Sequence, residues 1–113
     1  DVIKDILIKE EMASPVTIKT IQEVVADHFN LDIKDLISKK RSDSIAFPRQ
    51  IAMYLARNLT EMSTTEIGDV FGGRDHTTAM HACNKIKTKL SSDPYFVALI
   101  NKITQKIKSA KVE

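Results

Sequence analysis

A chain of 113 residues, 42% hydrophobic and 28% charged, has room for one modest core and the make-up of an ordinary globular domain rather than a disordered or membrane-embedded one. It has neither an apolar run long enough to span a bilayer nor a signal-peptide arrangement at its start, and its single cysteine, Cys83, excludes an intrachain disulfide and fits a reducing compartment, so the expected location is cytoplasmic. The net charge of +2 hides a division: residues 1–38 carry four basic and eight acidic side chains, whereas residues 39–113 carry thirteen basic and seven acidic, a distribution suited to a surface that meets a polyanion.

Valine and isoleucine recur at three- and four-residue spacings rather than in alternation, and glycine and proline number three each, which predicts an all-α chain. Val2, Ile3, Ile6 and Leu7 suggest an amphipathic helix that ends before Ser14 and Pro15. Because the chain opens on Asp1 rather than methionine, residues 1–13 are expected to be a connector from a preceding domain, and residues 14–113 the domain proper. Thr17 is placed to cap a helix carrying Ile18, Ile21, Val24, Val25 and Phe29, with Asn30 near its end. Leu31 to Ile37 reads as a short amphipathic helix or turn, and Lys39, Lys40 and Arg41 as a basic loop.

The next helix is expected from Ser44 to Leu59, with Pro48 tolerable only near its first turn. Phe47, Ile51, Leu55 and Leu59 share one apolar side; Arg49, Met53 and Arg57 lie along another, whose plainest role is a solvated edge. Ser63 and Glu66 form a capping box for a helix of about two turns through Ile67, Val70 and Phe71, which Gly72 and Gly73 stop. Asp75 can cap a long helix running to about Leu90, and Asp93-Pro94 begins a last one that buries Phe96, Leu99, Ile100, Ile103 and Ile107.

Two helices joined by a short glycine-containing turn fit a helix-turn-helix, whose second helix can enter the major groove of duplex DNA. In that second helix Ala79, Cys83, Ile86 and Leu90 mark the buried stripe. Thr77, His81, Asn84 and Thr88 repeat the spacing on the opposite side, a polar row without acids, flanked by Lys85, Lys87 and Lys89. The first turn offers Asp75, an acceptor matched to a cytosine amino group, His76, and the hydroxyls and methyls of Thr77 and Thr78. Each has a structural role as well, Asp75 as a cap and Thr78 as a helix starter. Lys39, Lys40, Arg41, Arg49, Arg57 and Arg74 supply charge for phosphates, with Arg41 long enough to enter an adjacent minor groove.

Phe47-Pro48-Arg49-Gln50-Ile51-Ala52-Met53-Tyr54-Leu55, Glu66-Ile67-Gly68-Asp69, Phe71 to Thr78, and His81-Ala82 together resemble the C-terminal domain of the bacterial chromosomal replication initiator family DnaA, over about Ser14 to Ala110. The resemblance implies a compact helical bundle with a helix-turn-helix, Trp-repressor-like. It implies recognition of short asymmetric boxes in duplex DNA at the replication origin, and transcription regulation elsewhere. Carried onto this chain, it implies base contacts from Asp75, His76, Thr77 and Thr78, minor-groove insertion of Arg41, and methyl contacts to thymine from Thr64 and Thr65. It implies phosphate contacts from Arg49, Gln50 and Arg57, to which Lys39, Lys40, Arg74 and Lys85 are added by their positions in the basic loop, the turn and the second helix. One copy is expected per box, with regulatory proteins as further partners. ATP or ADP belongs, by the same resemblance, to an ATPase domain preceding residues 1–13, and no cofactor is expected here. The chain departs from the family at Asp43, commonly basic or neutral, at Phe47, which can be arginine or tyrosine, and at Thr64-Thr65, frequently Leu-Pro.

Other chemistries fit less well. His76 and His81 point about 140° apart on a helix, and Cys83 falls on the apolar stripe, so they do not converge on a metal. A phosphate-binding Gly-x-x-x-x-Gly-Lys-Ser/Thr loop is absent, and the chain is read as non-enzymatic. The competing reading is a helical protein-interaction module whose basic face meets an acidic partner.

Overall fold

The Thr17 hydroxyl accepts from the Thr20 amide at 3.2 Å and starts helix α1, Ile18–His28, as its position predicts. A computed structural model describes residues 16–110; the expected connector helix over residues 1–13 lies outside them. Asn30, in the left-handed region at φ 60°, turns the chain out of α1, and the Leu31 amide closes onto the Ala26 carbonyl at 2.7 Å. The single turn α2, Ile33–Leu36, follows, narrower than the span from Leu31 to Ile37.

Helix α3, Asp43–Leu59, begins one residue earlier than expected. Asp43 occupies its first turn, where a carboxylate is favoured by the helix dipole, which gives this family departure a local reason. Pro48 sits in the second turn rather than the first. Its missing N–H deprives only the carbonyl of Ser44, an exposed residue at the helix start and open to solvent, and its ring is buried. Phe47, the second departure, packs on Phe96 with ring centroids 5.7 Å apart, so here it serves the core.

After α3 come α4, Thr64–Val70, α5, His76–Ser92, and α6, Pro94–Ala110. Among the described residues the architecture is all-α, six helices without a strand. Helix α3 is central: α1, α2, α4 and α5 pack on it, while α6 closes the bundle against α1 and α5. The core runs through Ile21, Val25, Ile51, Leu55, Phe71, Ile86, Ile103 and Ile107, from every helix except α2 and α4, which add Leu36 and Ile67. Leu99 lies at the core margin. Asp93 starts α6 by accepting from the Tyr95 and Phe96 amides at 3.0 and 3.2 Å.

His28 is half-buried at the end of α1, edge-on to Phe29, with the Lys106 ammonium 2.9 Å from its Nδ1. Burial first, and then Lys106 and Lys102, hold its pKa below the ordinary value against the opposing pull of Asp27. The Cys83 thiol contacts the Met53 carbonyl, and burial raises its pKa, the opposite of what a reactive thiol needs.

Candidate nucleic-acid interface

The α4–turn–α5 unit is built from local capping. Ser63 Oγ accepts from the Glu66 amide at 3.1 Å and Glu66 Oε1 accepts from the Ser63 amide at 2.8 Å, the reciprocal box predicted from the sequence. Phe71, fully buried, pins the end of α4, and Gly72 and Gly73 at φ 96° and 71° turn the chain. The turn then folds back onto its own helix, with the Arg74 amide donating to the Gly68 carbonyl at 2.8 Å. Contact there is so close that a Cβ on Gly68 would stand 2.2 Å from the Arg74 oxygen. Gly68 is therefore a turn-setting residue that reasoning from Gly72-Gly73 overlooked. The available signal was a glycine inside a helix, where it costs about 1 kcal/mol against alanine and calls for a packing reason.

In α5 the buried side is Ala79, Ala82 and Ile86, and the polar row Thr77, His81, Asn84 and Thr88 is exposed throughout. Cys83 and Leu90, expected within the buried stripe, lie half-buried at its margin. Met80, 43% exposed, joins the outer surface without having been anticipated.

Asp75 occupies the N-cap position but makes no side-chain hydrogen bond to the helix amides. Its carboxylate instead accepts from the Thr77 hydroxyl and lies 3.4 Å from His76 Nδ1. The Thr77 hydroxyl, aided by His76, holds the Asp75 carboxyl below the ordinary carboxylate range. Asp75, His76, Thr77 and Thr78 all face solvent.

The cations are sorted by what they touch. Arg49, expected on a solvated edge, is 5% exposed: its Nε donates to the Leu36 carbonyl at 2.7 Å and its Nη2 to those of Asp35 and Ser38 at 3.2 and 3.1 Å. The turn after α2 passes over this face of α3, which a helical projection of α3 alone does not reveal. Arg74 is half-buried, donating from Nη2 to the same Ser38 carbonyl at 2.7 Å and from Nη1 to that of Phe71. Burial depresses the pKa of both arginines, and each remains a cation at neutral pH. Lys40 turns to Asp35, 3.3 Å from its Oδ1. Arg41 is exposed and makes no hydrogen bond to the described residues.

Two adjoining hollows run along one flank of α5. One, of about 360 Å³, is lined by Lys39, Arg41, Ala46, Arg49, Arg74 and Thr78, four cations and no acid. The other, of about 230 Å³, brings Gln50, His81 and Lys85 to Arg49, Arg74 and Thr78, and the Gln50 Oε1 buried beside it has no hydrogen-bond partner among the described residues. On the other flank Arg57 and Thr64 share a hollow of about 430 Å³ with Tyr54, Asn84 and Lys87. Arg57 is exposed and donates to the Met62 carbonyl at 2.8 Å. Of the expected residues, Thr65 is exposed at the start of α4 outside these hollows, and Lys40 is drawn aside. Cations thus border the exposed row of α5 on both sides, as a groove between two phosphate strands requires. Among the described residues no group of histidine, cysteine or carboxylate side chains converges on a metal-sized site, and no helix is long and apolar enough to cross a membrane.

Residues 18–86, which contain α4, the turn and α5 as far as Ile86, match the family described as bacterial dnaA protein helix-turn-helix. The chain is 54% identical over 93 residues to the chromosomal replication initiator protein DnaA of Treponema denticola and 50% identical over 94 residues to that of Symbiobacterium thermophilum. Those alignments cover 82% and 83% of this chain and 20% of each relative, so the chain spans about a fifth of the length of these relatives. With the helix-turn-helix geometry and the sequence match in agreement, the chain belongs to the bacterial dnaA protein helix-turn-helix family, and its α4–turn–α5 unit is a DNA-binding, non-catalytic module.

Proposed function

We propose that this chain binds duplex DNA in a sequence-dependent manner as the origin-recognising part of a replication initiator, one copy to each short asymmetric box. The observation that supports this most strongly is the exposed polar row of α5, bordered by cation-lined hollows on both flanks while its inner side is sealed by Ala79, Ala82 and Ile86. The first turn of α5 enters the major groove, where Asp75, His76, Thr77 and Thr78 meet base edges. Thr64 and Thr65 offer methyl groups to thymine, and Arg41, exposed and without a hydrogen bond to the described residues, reaches the adjacent minor groove. Lys39, Lys85, Gln50 and Arg57 contact phosphates, with Lys40 recruited once it leaves Asp35. Arg49 and Arg74 lend charge from the floor of the hollow and retain N–H groups for a phosphate seated in it. Transcription regulation through the same boxes, regulatory protein partners, a cytoplasmic location and nucleotide binding in a preceding ATPase domain joined through residues 1–13 follow from the resemblance.

Alanine substitutions sort the roles. Thr77→Ala or His76→Ala lowers the preference for a pool-selected box over its scrambled counterpart by about 5- to 150-fold, because a good base contact discriminates by about 1–3 kcal/mol. Lys85→Ala weakens both duplexes alike and reduces the salt slope by about one. Titrations of each variant against the two duplexes at several salt concentrations check this. Equal loss on both duplexes from every variant would remove the base-reading role from α5 and leave a nonspecific cationic surface.

A further inference from the structure

Arg49 and Arg74 both reach the Ser38 carbonyl, Arg49 from the middle of α3 and Arg74 from the turn before α5, at 3.1 and 2.7 Å. A lone backbone oxygen is thus shared by two guanidinium groups, neither of which is paired with a carboxylate among the described residues. Arg49 also holds the carbonyls of Asp35 and Leu36, so three of the four carbonyls from Asp35 to Ser38 are fixed by one side chain. From the basic loop, Lys39 Nζ reaches the carbonyl of Gly72 in the turn at 3.5 Å, and Gly72 lies so near Ile37 that a Cβ would stand 2.4 Å from the Ile37 oxygen. Three separate ties therefore bind the start of the basic loop to the turn that aims α5.

We propose that Arg49 and Arg74 are positioning residues that clamp the loop bearing Arg41 to the recognition turn, so that minor-groove and major-groove contacts are held at one fixed spacing. This rests on the DNA-binding reading above. A loose loop would lose conformational freedom when Arg41 enters the groove; a clamped one has lost it on folding, so the Arg41 contact adds more to binding. Rigidity also has a cost on the DNA side. Neighbouring base pairs are about 3.4 Å apart along the helix, so a clamped loop tolerates no change in the number of base pairs between its site and that of α5.

The test is a double-substitution cycle on the whole chain: wild type, Arg41→Ala, Arg49→Lys and the double variant, each titrated against the selected box and its scramble after thermal melting has established folding. Arg49→Lys keeps a cation but cannot hold the three carbonyls in its planar geometry. It is expected to lower the box-over-scramble ratio about 3- to 10-fold in the wild-type background and by less than about 2-fold in the Arg41→Ala background. A merely stabilising residue changes the active fraction for both duplexes and leaves that ratio unmoved. Equal losses in the two backgrounds would overturn the clamp while leaving the DNA-binding reading intact; a wild type with no box preference would overturn both. If Arg49→Lys does not fold, the DNA supplies the variant: a box with one base pair inserted between the segments read by the loop and by α5. Arg41→Ala then makes no difference on the inserted box if the loop is clamped, and the same difference as on the normal box if it is not.

Discussion

Gly68→Ala lowers the unfolding free energy by about 1–3 kcal/mol and, in the fraction that remains folded, weakens binding to the selected box. The added methyl has no free volume: its nearest neighbours are the Arg74 oxygen at 2.2 Å, the Arg74 carbonyl carbon at 3.1 Å and the Asp75 oxygen at 3.3 Å, all backbone atoms that no rotamer change can move. Overpacking in a well-filled site costs about 1–3 kcal/mol, and the shift also strains the Arg74 to Gly68 hydrogen bond that closes the turn. Alanine's better helix propensity returns up to about 1 kcal/mol, too little to offset the clash. Because the atoms that must move immediately precede α5, stability and DNA affinity fall together. Gly73 gives the contrast: a Cβ there has no neighbour within 4 Å, and the penalty is that of its φ of 71° alone, about 1 kcal/mol for alanine and less for asparagine. Urea unfolding of Gly68→Ala beside Gly73→Asn separates the two causes, and equal midpoints would refute the close-packing argument.

Arg49→Ala is the second large effect, a loss of about 3 kcal/mol. Three carbonyls each lose a charged donor in a place only 5% exposed, where such bonds are worth about 1.5–3 kcal/mol each, and the donors that Asp35 and Ser38 keep, from the Ser38 amide and hydroxyl and from Arg74, recover part of the loss. Arg57→Ala removes an exposed side chain with one carbonyl partner and costs less than about 1 kcal/mol. A chemical denaturation series on both variants decides the matter; similar midpoints would mean that the Arg49 bonds contribute little.

These two arginines mark where sequence reasoning stopped. A helical wheel for α3 puts Arg49 and Arg57 on one edge, and the periodicity of that helix contains nothing to separate them. What separates them is the return of the chain after α2 across Arg49, a tertiary event between segments more than ten residues apart. Features set by neighbours in sequence were legible: the Thr17 cap, the Ser63–Glu66 box, the glycine stop at Gly72 and Gly73, and the exposed polar row of α5. Asp75 was placed at its cap position, yet the competition between helix amides and the Thr77 hydroxyl for its carboxylate is settled by local geometry that residue type does not specify. The buried stripe of α5 differs at two positions, Ala82 buried where Cys83 was expected and Leu90 only half-buried, because which side of a helix is covered is set by the helices packed on it and not by its own periodicity.

The central claim is that this surface reads sequence and does not merely attract phosphate. Selection of bound duplexes from a random pool by the chain itself, followed by titration of the winner and its scramble across salt concentrations, tests it most directly. The account predicts one short asymmetric motif, affinity that falls steeply with salt on both duplexes, and a preference for the motif that persists as it falls. A pool that returns no motif, with equal affinities for winner and scramble at every salt concentration, would contradict it.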